Sequence, residues 1–316
     1  MKKNFNNKTY VEGVLYQHSL ELKTSGATSA NPGTQYITGT VEIATDNDRL
    51  NIVPVHFTYV TATTKTGKTN ATFVTLMDIV SGKLGSVMGQ SENPAMLRID
   101  SALGLNEFYS DSNGKEEFVS VQRNEGGFAH VINAFTKDEN ERNTFDCDLI
   151  ITSVTHKEAD EEQGMPEKAI LKGWIFDFRN ALLPYTFSAV NPRAISYFEG
   201  LEATNSNPAF VHVKGRQVSE TIVHTITEES AFGEPSIREV KRSRKDFVVT
   251  WAATDVYEWD DESTITVNEL KELMANRETY LATLKQRRDE YKASKNKPAA
   301  AATAAVAAAS TTGFNF

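Results

Sequence analysis

The sequence is poor in cysteine and has no long apolar run, and both absences limit what the protein can be. Its 316 residues include one cysteine, Cys147, which excludes an intramolecular disulfide framework and a multi-cysteine zinc site. No apolar run approaches the roughly 20 residues that a membrane-spanning helix needs. The N-terminal MKKNFNNKTY has lysines but no apolar segment behind them, unlike a secretory signal. We therefore expect a cytoplasmic, reducing location and no membrane partner.

The chain also lacks the sequence motifs of the common enzyme classes. It has no Walker loop, dinucleotide-binding fingerprint, nucleophile elbow or HExxH pattern. Its six histidines are scattered, and none pairs with another at metal-ligand spacing. The single Cys147, in FDCDLII, is typical of a small buried apolar residue rather than a nucleophile. We predict a protein that is not an enzyme and has no metal or other cofactor.

Basic residues are outnumbered, with 33 Lys and Arg against 42 Asp and Glu and a formal net charge of −9. This balance argues against nonspecific coating of duplex nucleic acid, for which a basic face usually dominates. The charge is uneven along the chain. REVKRSRK (238–245) has five basic residues and one acidic residue, whereas EADEEQ (158–163) and EWDDE (258–262) are acidic. A local basic surface is therefore compatible with an acidic protein.

Strand patterns dominate residues 8–260. Short runs rich in Val, Ile, Thr, Phe and Tyr alternate with polar residues, and Gly, Asn, Asp and Pro separate the runs. Two short helices are predicted, NATFVTLMDIVSGK (70–83) and PRAISYFEGLEA (192–203), the second with proline at its first helical position. Each helix follows three predicted strands and precedes two more.

This order of elements occurs twice and indicates an internal repeat. Gly39 aligns with Gly173, and VPVHFTYV (53–60) aligns with LPYTFSAV (183–190). Three strands, a helix and two strands is the order of the five-stranded Greek-key barrel known as the OB-fold. Through this order and this repeat, residues 8–260 resemble tandem OB-fold single-stranded-DNA-binding proteins, in particular those of bacteriophages.

The resemblance implies a partner, single-stranded DNA, and a role in DNA replication, recombination or repair in a bacterial or phage-infected cell. It also allows a homo-oligomer. The alternative is a virion or assembly protein built of β-domains. A third possibility is a saccharide or small-molecule binder, because OB-folds also hold oligosaccharides.

We expect a mainly β protein of two OB-fold-like barrels in tandem, each with a short helix, then a C-terminal α-helix and a disordered Ala-rich tail. The predicted units are 1–140, 141–262, 263–295 and 296–316. In the third unit, apolar residues at helical spacing predict a helix over about 267–292. Thr266 and Glu269 have the spacing of a capping box. The apolar stripe of this helix would pack on the second domain or on a partner chain.

Single-strand binding needs aromatic faces for the bases and cations along the backbone. In KGWIFDFRN, Trp174, Phe176 and Phe178 share one strand face by period two, and Lys172 and Arg179 flank them. If Ile175 faces the core, the three rings point out of the barrel. They would then stack on bases, or pack domains or subunits together. If the face assignment is wrong, they belong to the core.

Further candidates lie elsewhere in the chain. In the first half they are Tyr16, Tyr36, Phe57 and Tyr59, with Lys65 and Lys68 in the loop TKTGKTN. Near the last predicted strand they are Arg238, Lys241, Arg242, Arg244 and Lys245. Both basic segments could lie along phosphates, and the alternative for both is a plain solvated loop.

The chain ends in PAAAATAAVAAASTTGFNF (298–316). In single-strand binders of bacteria and phages, a flexible tail commonly ends in an aromatic tip that recruits replication partners, and the resemblance therefore implies that Phe314 and Phe316 form such a tip. This tail departs from the family pattern, because no acidic residue follows Glu290. A disordered end without function is the alternative.

Overall fold

The alternating segments form two barrels, and the computed structural model describes residues 5–27, 29–112, 115–160, 165–228, 232, 236–260 and 264–295. For residues 112, 220–228, 236–244 and 295 it gives the backbone path alone. The first barrel comprises β1 (Asn7–His18), β2 (Glu21–Thr24), β3 (Gln35–Ala44), β4 (Ile52–Thr61), α1 (Ala71–Val80), β5 (Met96–Ser112) and β6 (Lys115–Ile132). The second comprises β7 (Asn143–Lys157), β8 (Lys168–Phe176), β9 (Leu182–Ala189), α2 (Pro192–Gly200), β10 (Ala209–Glu228) and β11 (Ser236–Ala252). The last helix, α3, is Val267–Lys295.

Strand pairing closes each barrel in the same way. In the first, β1–β3, β3–β4, β6–β5 and β5–β1 are antiparallel, and β4–β6 is parallel. In the second, β7–β8, β8–β9, β11–β10 and β10–β7 are antiparallel, and β9–β11 is parallel. A three-stranded meander, a helix and a returning hairpin that closes on both edges of the meander form the OB-fold barrel. The predicted mainly β fold, with two such barrels and a C-terminal helix, is confirmed.

Three local features repeat between the barrels. A β-bulge interrupts β1 between Leu15 and Gln17, and another interrupts β7 between Ile151 and Ser153. Each barrel helix starts after an asparagine N-cap, whose side chain accepts a backbone hydrogen bond two residues later. The third feature is the pairing of the second and third barrel strands, where Val41 lies opposite Val55 and Ile175 lies opposite Leu183.

This pairing corrects the alignment predicted from sequence, which placed Val55 with Tyr185. The pairing instead equates Val55 with Leu183, so the third strands are offset by two residues. An even offset leaves the same side chains on the same face of the sheet. The assignment of side chains to the inner and outer faces of the sheet is therefore correct despite the error in alignment.

Each barrel encloses its own apolar core. The first core includes Leu15, Val55 and Phe57, and Leu76 and Ile79 of α1 pack into it. The second core includes a group of rings, Phe145, Tyr185, Phe187 and Phe247, whose neighbouring centroids are 5.1–6.2 Å apart. Cys147 lies buried in this second core, as predicted, and burial raises the pKa of its thiol well above the usual value.

The two barrels are joined edge to edge. β1 pairs antiparallel with β7 from Asn7 opposite Cys147 to Val11 opposite Asn143. The Asn7 side chain donates to the carbonyl oxygens of Leu103 (2.9 Å) and Phe176 (2.8 Å), one on each barrel. The predicted boundary at residue 140 falls between β6 and β7. The limits of the predicted domains stay a prediction.

A second contact between the barrels is a pair of buried amides. Asn124 of β6 donates to Gln217 of β10 at 2.9 Å, and Gln217 donates back to Asn124 at 2.6 Å. Buried amides that satisfy one another avoid the cost of an unpaired polar group. This exchange therefore fixes the orientation of one barrel against the other.

α3 begins with the predicted capping box. The Glu269 carboxylate accepts from the Thr266 N–H at 2.8 Å, and the Thr266 hydroxyl accepts from the Glu269 N–H at 3.1 Å. Over 29 residues the helix extends about 43 Å. Its first turns pack on the second barrel, and Lys285 further along pairs with Glu116 of β6 at 2.7 Å. Among the described residues, no helix is long and apolar enough to span a membrane.

Candidate nucleic-acid interface

The aromatic residues of β8 lie on the face that the sequence predicted, but they are covered. Ile175 belongs to the core of the second barrel, whereas Trp174 and Phe176 belong to a separate cluster outside it. Phe176 is 0% exposed. The prediction that Phe176 is exposed for base stacking is therefore wrong, because another part of the same chain packs over it.

The covering part is α3 and the segment that leads into it. From this part come Ile265, Leu270 and Leu273, which pack against Ile150 and Leu182 of the second barrel in one outer cluster. Its rings are Phe5, Trp174, Phe176, Phe210, Tyr257 and Trp259. Phe5 stacks on Phe176 with centroids 3.9 Å apart, and Trp259 lies 5.6 Å from Phe210. Rings of this kind bury about 150–250 Å² each, which makes the cluster a third hydrophobic core, outside both barrels.

Phe178 lies beyond the end of β8 and is open to solvent. It is 81% exposed, and the Arg179 guanidinium lies 4.9 Å from its ring centroid. The turn that carries it is fixed by the Asp177 carboxylate, which accepts from the N–H groups of Arg179 and Ala181, both at 2.7 Å. Lys172, one residue before Gly173 on β8, is also exposed. Of the three predicted rings, Phe178 alone is freely accessible to a base.

In the first barrel, the predicted residues separate into a buried and an exposed group. Phe57 is 0% exposed in the barrel core, so its predicted role in base stacking is wrong. Tyr36 and Tyr59 stack on one another outside that core with centroids 4.4 Å apart, and Tyr59 is 47% exposed. Lys23 of β2 pairs directly with Tyr36. Tyr16 lies at the bulge of β1 and is not brought to this pair.

The predicted basic loop directly follows Tyr59. Lys65 and Lys68 are both exposed. The backbone of the loop is closed by a hydrogen bond from the Thr64 N–H to the Lys68 carbonyl at 2.8 Å and by Gly67, whose φ of +78° favours glycine. The two lysines therefore stand on a defined turn at the end of β4.

The other predicted basic run forms part of β11. Its backbone pairs with β10 from Arg238 opposite Ile226 to Lys245 opposite Ser219. Lys245 is exposed. The side chains of Arg238, Lys241, Arg242 and Arg244 lie outside the described residues, and so do Phe314 and Phe316. For these residues the predicted roles stay predictions.

A cleft of about 1200 Å³ crosses the junction of the barrels. Its walls come from β1, β4, β5 and β6 of the first barrel, from the start of β7, and from the β8–β9 turn. The rings that line it include Tyr59 of β4, Phe178 of the β8–β9 turn and Phe128 of β6, which is 68% exposed. The sequence prediction missed Phe128, although period-two alternation with the buried Ala129 signals an outward ring.

The charge in the cleft is mixed rather than basic. Lys8 and Arg179 line it together with four carboxylates, those of Asp100, Glu125, Asp146 and Asp177. Three of these carboxylates have cationic partners close by, which are Arg98 at 3.3 Å from Asp100, Arg123 at 2.6 Å from Glu125 and Lys214 at 3.5 Å from Asp146. Stacking surfaces rather than cations therefore dominate the cleft.

Comparison with known proteins finds a family model and solved structures that are similar to this chain. The family model YorF matches residues 6–287. The chain belongs to the YorF family. Among solved structures it is similar to the wild-type single-stranded DNA binding protein from Thermus aquaticus, with a TM-score of 0.45 and 10% identity over 82% of this chain and 97% of that one. A deletion mutant of that protein gives a TM-score of 0.45 and 9% identity over 82% and 98%. No curated protein matches.

Two buried carboxylates of the YorF-family chain were not predicted, and they occupy equivalent positions. Glu12 on β1 and Asp148 on β7 each lie four residues before the bulge position of their strand. Glu12 accepts from the Thr136 N–H at 2.7 Å, in the segment that leaves the first barrel. Asp148 accepts from the Tyr257 hydroxyl at 3.2 Å, in the segment that leaves the second barrel. In each barrel, a carboxylate on the first strand thus accepts a hydrogen bond from the segment that follows the last strand.

The two carboxylates affect different pKa values: for Glu12 the shifted pKa is its own, and for Asp148 it is that of the neighbouring Tyr257. Burial by itself would raise the pKa of Glu12, but hydrogen bonds from Thr136 and Tyr10 outweigh it and hold the pKa below its usual value. Burial and the nearby Asp148 carboxylate raise the pKa of Tyr257 to about 12. These groups are structural, because neither carboxylate lines the cleft.

One group of side chains in the YorF-family chain has the composition of a metal site. The ligand atoms of His156, Glu158 and Glu167 lie within 4.8 Å of one another, and all three residues are exposed. Glu199 binds the other ring nitrogen of His156 at 2.7 Å, and this hydrogen bond raises the pKa of the imidazole. A protonated histidine shared among three carboxylates accounts for the geometry without an ion.

Proposed function

We propose that this protein binds single-stranded DNA without catalysing a reaction. The observation that carries the proposal is the line of accessible rings, Tyr59, Phe128 and Phe178, along a cleft at the junction of two OB-fold barrels. OB-folds bind oligonucleotides on the barrel surface, and a base stacked on an aromatic ring contributes about 1–3 kcal/mol without regard to sequence. Lys65 and Lys68, on the exposed loop after Tyr59, supply cations for phosphates.

The test is fluorescence anisotropy of labelled oligo-dT titrated with the protein at two salt concentrations, beside a duplex of the same length. We expect the single strand to bind more tightly than the duplex and its affinity to fall as salt rises. Phe128→Ala should weaken binding. Tyr280→Ala is the control, because its ring is 47% exposed but lies on α3, outside the cleft. Equal binding of duplex and single strand, or none at low salt, would overturn the proposal.

A second candidate is assembly through the same rings, and the four carboxylates of the cleft favour it because they repel phosphates. In that case the protein forms a large oligomer whose mass does not respond to oligo-dT, and Phe128→Ala reduces the mass. Light scattering with and without the oligonucleotide distinguishes the two functions.

We further propose that the protein serves DNA replication or recombination, as in a bacteriophage, and that the tip at Phe314 and Phe316 recruits partner proteins of those processes. The support is the sequence alone, two rings after an alanine-rich segment. Deletion of residues 313–316 should leave oligo-dT affinity unchanged and abolish capture of a replication protein from the same host. Unchanged capture contradicts this role of the tip.

A further inference from the structure

The equivalent outer faces of the two barrels differ in what covers them. On the first barrel, Tyr36 and Tyr59 of β3 and β4 stack together at the surface. On the second barrel, Trp174 and Phe176 of β8 and Leu182 of β9 lie under the chain that follows β11. The face formed by the second and third strands is where OB-folds bind oligonucleotides. One face is therefore open and the other is occupied.

The cover on the second barrel is part of the folded core. Ile265 and Leu270 are 4% and 6% exposed, and both pack with the fully buried Phe176 and Phe210. The Tyr257 hydroxyl also hydrogen-bonds to the buried Asp148 of β7. Lifting this segment would expose a group of aromatic rings to water, so a nucleic acid cannot displace it cheaply.

The covered and the open face also differ in the charge of the segments beside them. In the sequence, residues 253–278, the range that includes the covering side chains, contain eight acidic and two basic residues, a formal net charge of −6. The loop 62–69 beside Tyr59 contains two lysines and no acidic residue. The covering segment therefore repels phosphates, whereas the loop beside Tyr59 attracts them.

Resting on the proposed function, we infer that a bound single strand follows the first barrel only, from the Tyr36–Tyr59 pair past Phe128 to Phe178. The β8–β9 face of the second barrel takes no bases, because α3 and its leading segment fill the place of a ligand there. The second barrel contributes its β8–β9 turn, with Phe178 and Arg179, as the far end of the path.

The positions of the tryptophans make this path measurable. The chain has three tryptophans, Trp174, Trp251 and Trp259, and none lies in the first barrel. Trp174 and Trp259 belong to the covered cluster. Trp251 is 49% exposed on β11 and does not line the cleft. A strand on the proposed path therefore stacks on no tryptophan.

The experiment measures binding and location in the same titration. The probe is labelled oligo-dT of about 20 nucleotides, longer than the ~4–16 that one OB-fold holds. Its anisotropy reports binding, and tryptophan emission reports contact with the second barrel. For the wild-type protein we expect the anisotropy to rise while the emission stays constant. For Tyr59→Trp we expect the emission to be quenched in parallel with the anisotropy.

Removal of the Tyr59 ring from the first barrel should strongly weaken oligo-dT binding. Tyr59→Ala is expected to lower the affinity about 5- to 150-fold, the effect of losing one stacked base. Phe128→Trp is the second reporter if Tyr59→Trp does not fold. Circular dichroism identifies the folded variants.

The outcomes separate the inference from the function on which it rests. If the anisotropy does not respond to oligo-dT, the proposed function fails. If it responds and wild-type emission is quenched, the protein binds DNA but the one-barrel path is wrong. Trp251→Phe then tells whether the strand crosses β11 or the β8–β9 face, and either result overturns the inference. Binding without wild-type quenching, together with quenching in Tyr59→Trp, supports it.

Discussion

The two barrels have the same strand pairing, yet the outer faces of their second and third strands have opposite surroundings. On β8 the aromatic residues are covered by Phe5, by α3 and by the segment that leads into α3, and Phe176 is inaccessible to solvent. On β3 and β4 the rings of Tyr36 and Tyr59 remain at the surface, next to a loop with two lysines. A shared strand pairing therefore does not give the two barrels the same accessible surface. The segments that pack on β8 determine which aromatic rings remain exposed.

The largest difference is expected in stability. Phe176→Ala should lower the free energy of unfolding by about 3–5 kcal/mol, because it leaves a cavity between α3 and the second barrel. Tyr59→Ala should change it by about 0.5 kcal/mol or less, because that ring is half in water. Urea denaturation of both variants measures the contrast. If both variants lost the same free energy of unfolding, Tyr59 would be as tightly packed as Phe176, and the contrast between a covered and an open face would be wrong.

A smaller effect is expected at Glu12, which fastens the chain leaving the first barrel. Glu12→Gln should cost about 1–3 kcal/mol at neutral pH, because the backbone N–H groups of Thr136 and Lys137 lose a charged acceptor. The pKa of Glu12 is held below its usual value in the folded state. Its stabilising effect is therefore complete above the unfolded pKa of about 4.3 and is lost as the pH falls through the lower, folded value.

Urea denaturation at a series of pH values checks this. The difference in free energy of unfolding between wild type and Glu12→Gln should disappear as the solution is acidified below about pH 4. Glu21→Gln is the control, since Glu21 is exposed and pairs with Lys23 at the surface. A gap that persists unchanged at low pH would mean that the glutamine disturbs packing rather than charge.

The smallest effect concerns two exposed lysines, one on each barrel. If the open face carries the strand, Lys68→Ala should weaken oligo-dT binding slightly and reduce the slope of log affinity against log salt by about 0.7, the effect of one phosphate contact on a single strand. Lys172→Ala, on the second barrel, should change neither quantity. Anisotropy titrations of both variants at several salt concentrations measure these quantities. If Lys172→Ala lowers the oligo-dT affinity as much as Lys68→Ala does, the strand does not favour the first barrel.

Several features were predictable because they depend on residues close in sequence. The capping box at Thr266 and Glu269, the helix at Pro192 and the face shared by Trp174 and Phe176 all follow from local spacing. Phe57 was assigned to the wrong environment, although it shares its period-two position with the buried Val53 and Val55. Tyr59 continues the same period but is exposed, because β4 has one extra residue between the pairs Phe57–Gly39 and Val60–Ile37, and this irregularity moves Tyr59 off the core face.

The sequence by itself determined the order of strands, their inward and outward faces, and the tandem repeat, because these depend on a period of two along each segment. Only the tertiary structure decided that α3 returns to cover β8 and that Tyr59, Phe128 and Phe178 meet in one cleft. Those contacts join residues up to about a hundred positions apart. Apolar burial is non-directional, so an outward ring specifies that it needs a cover but not which segment provides it.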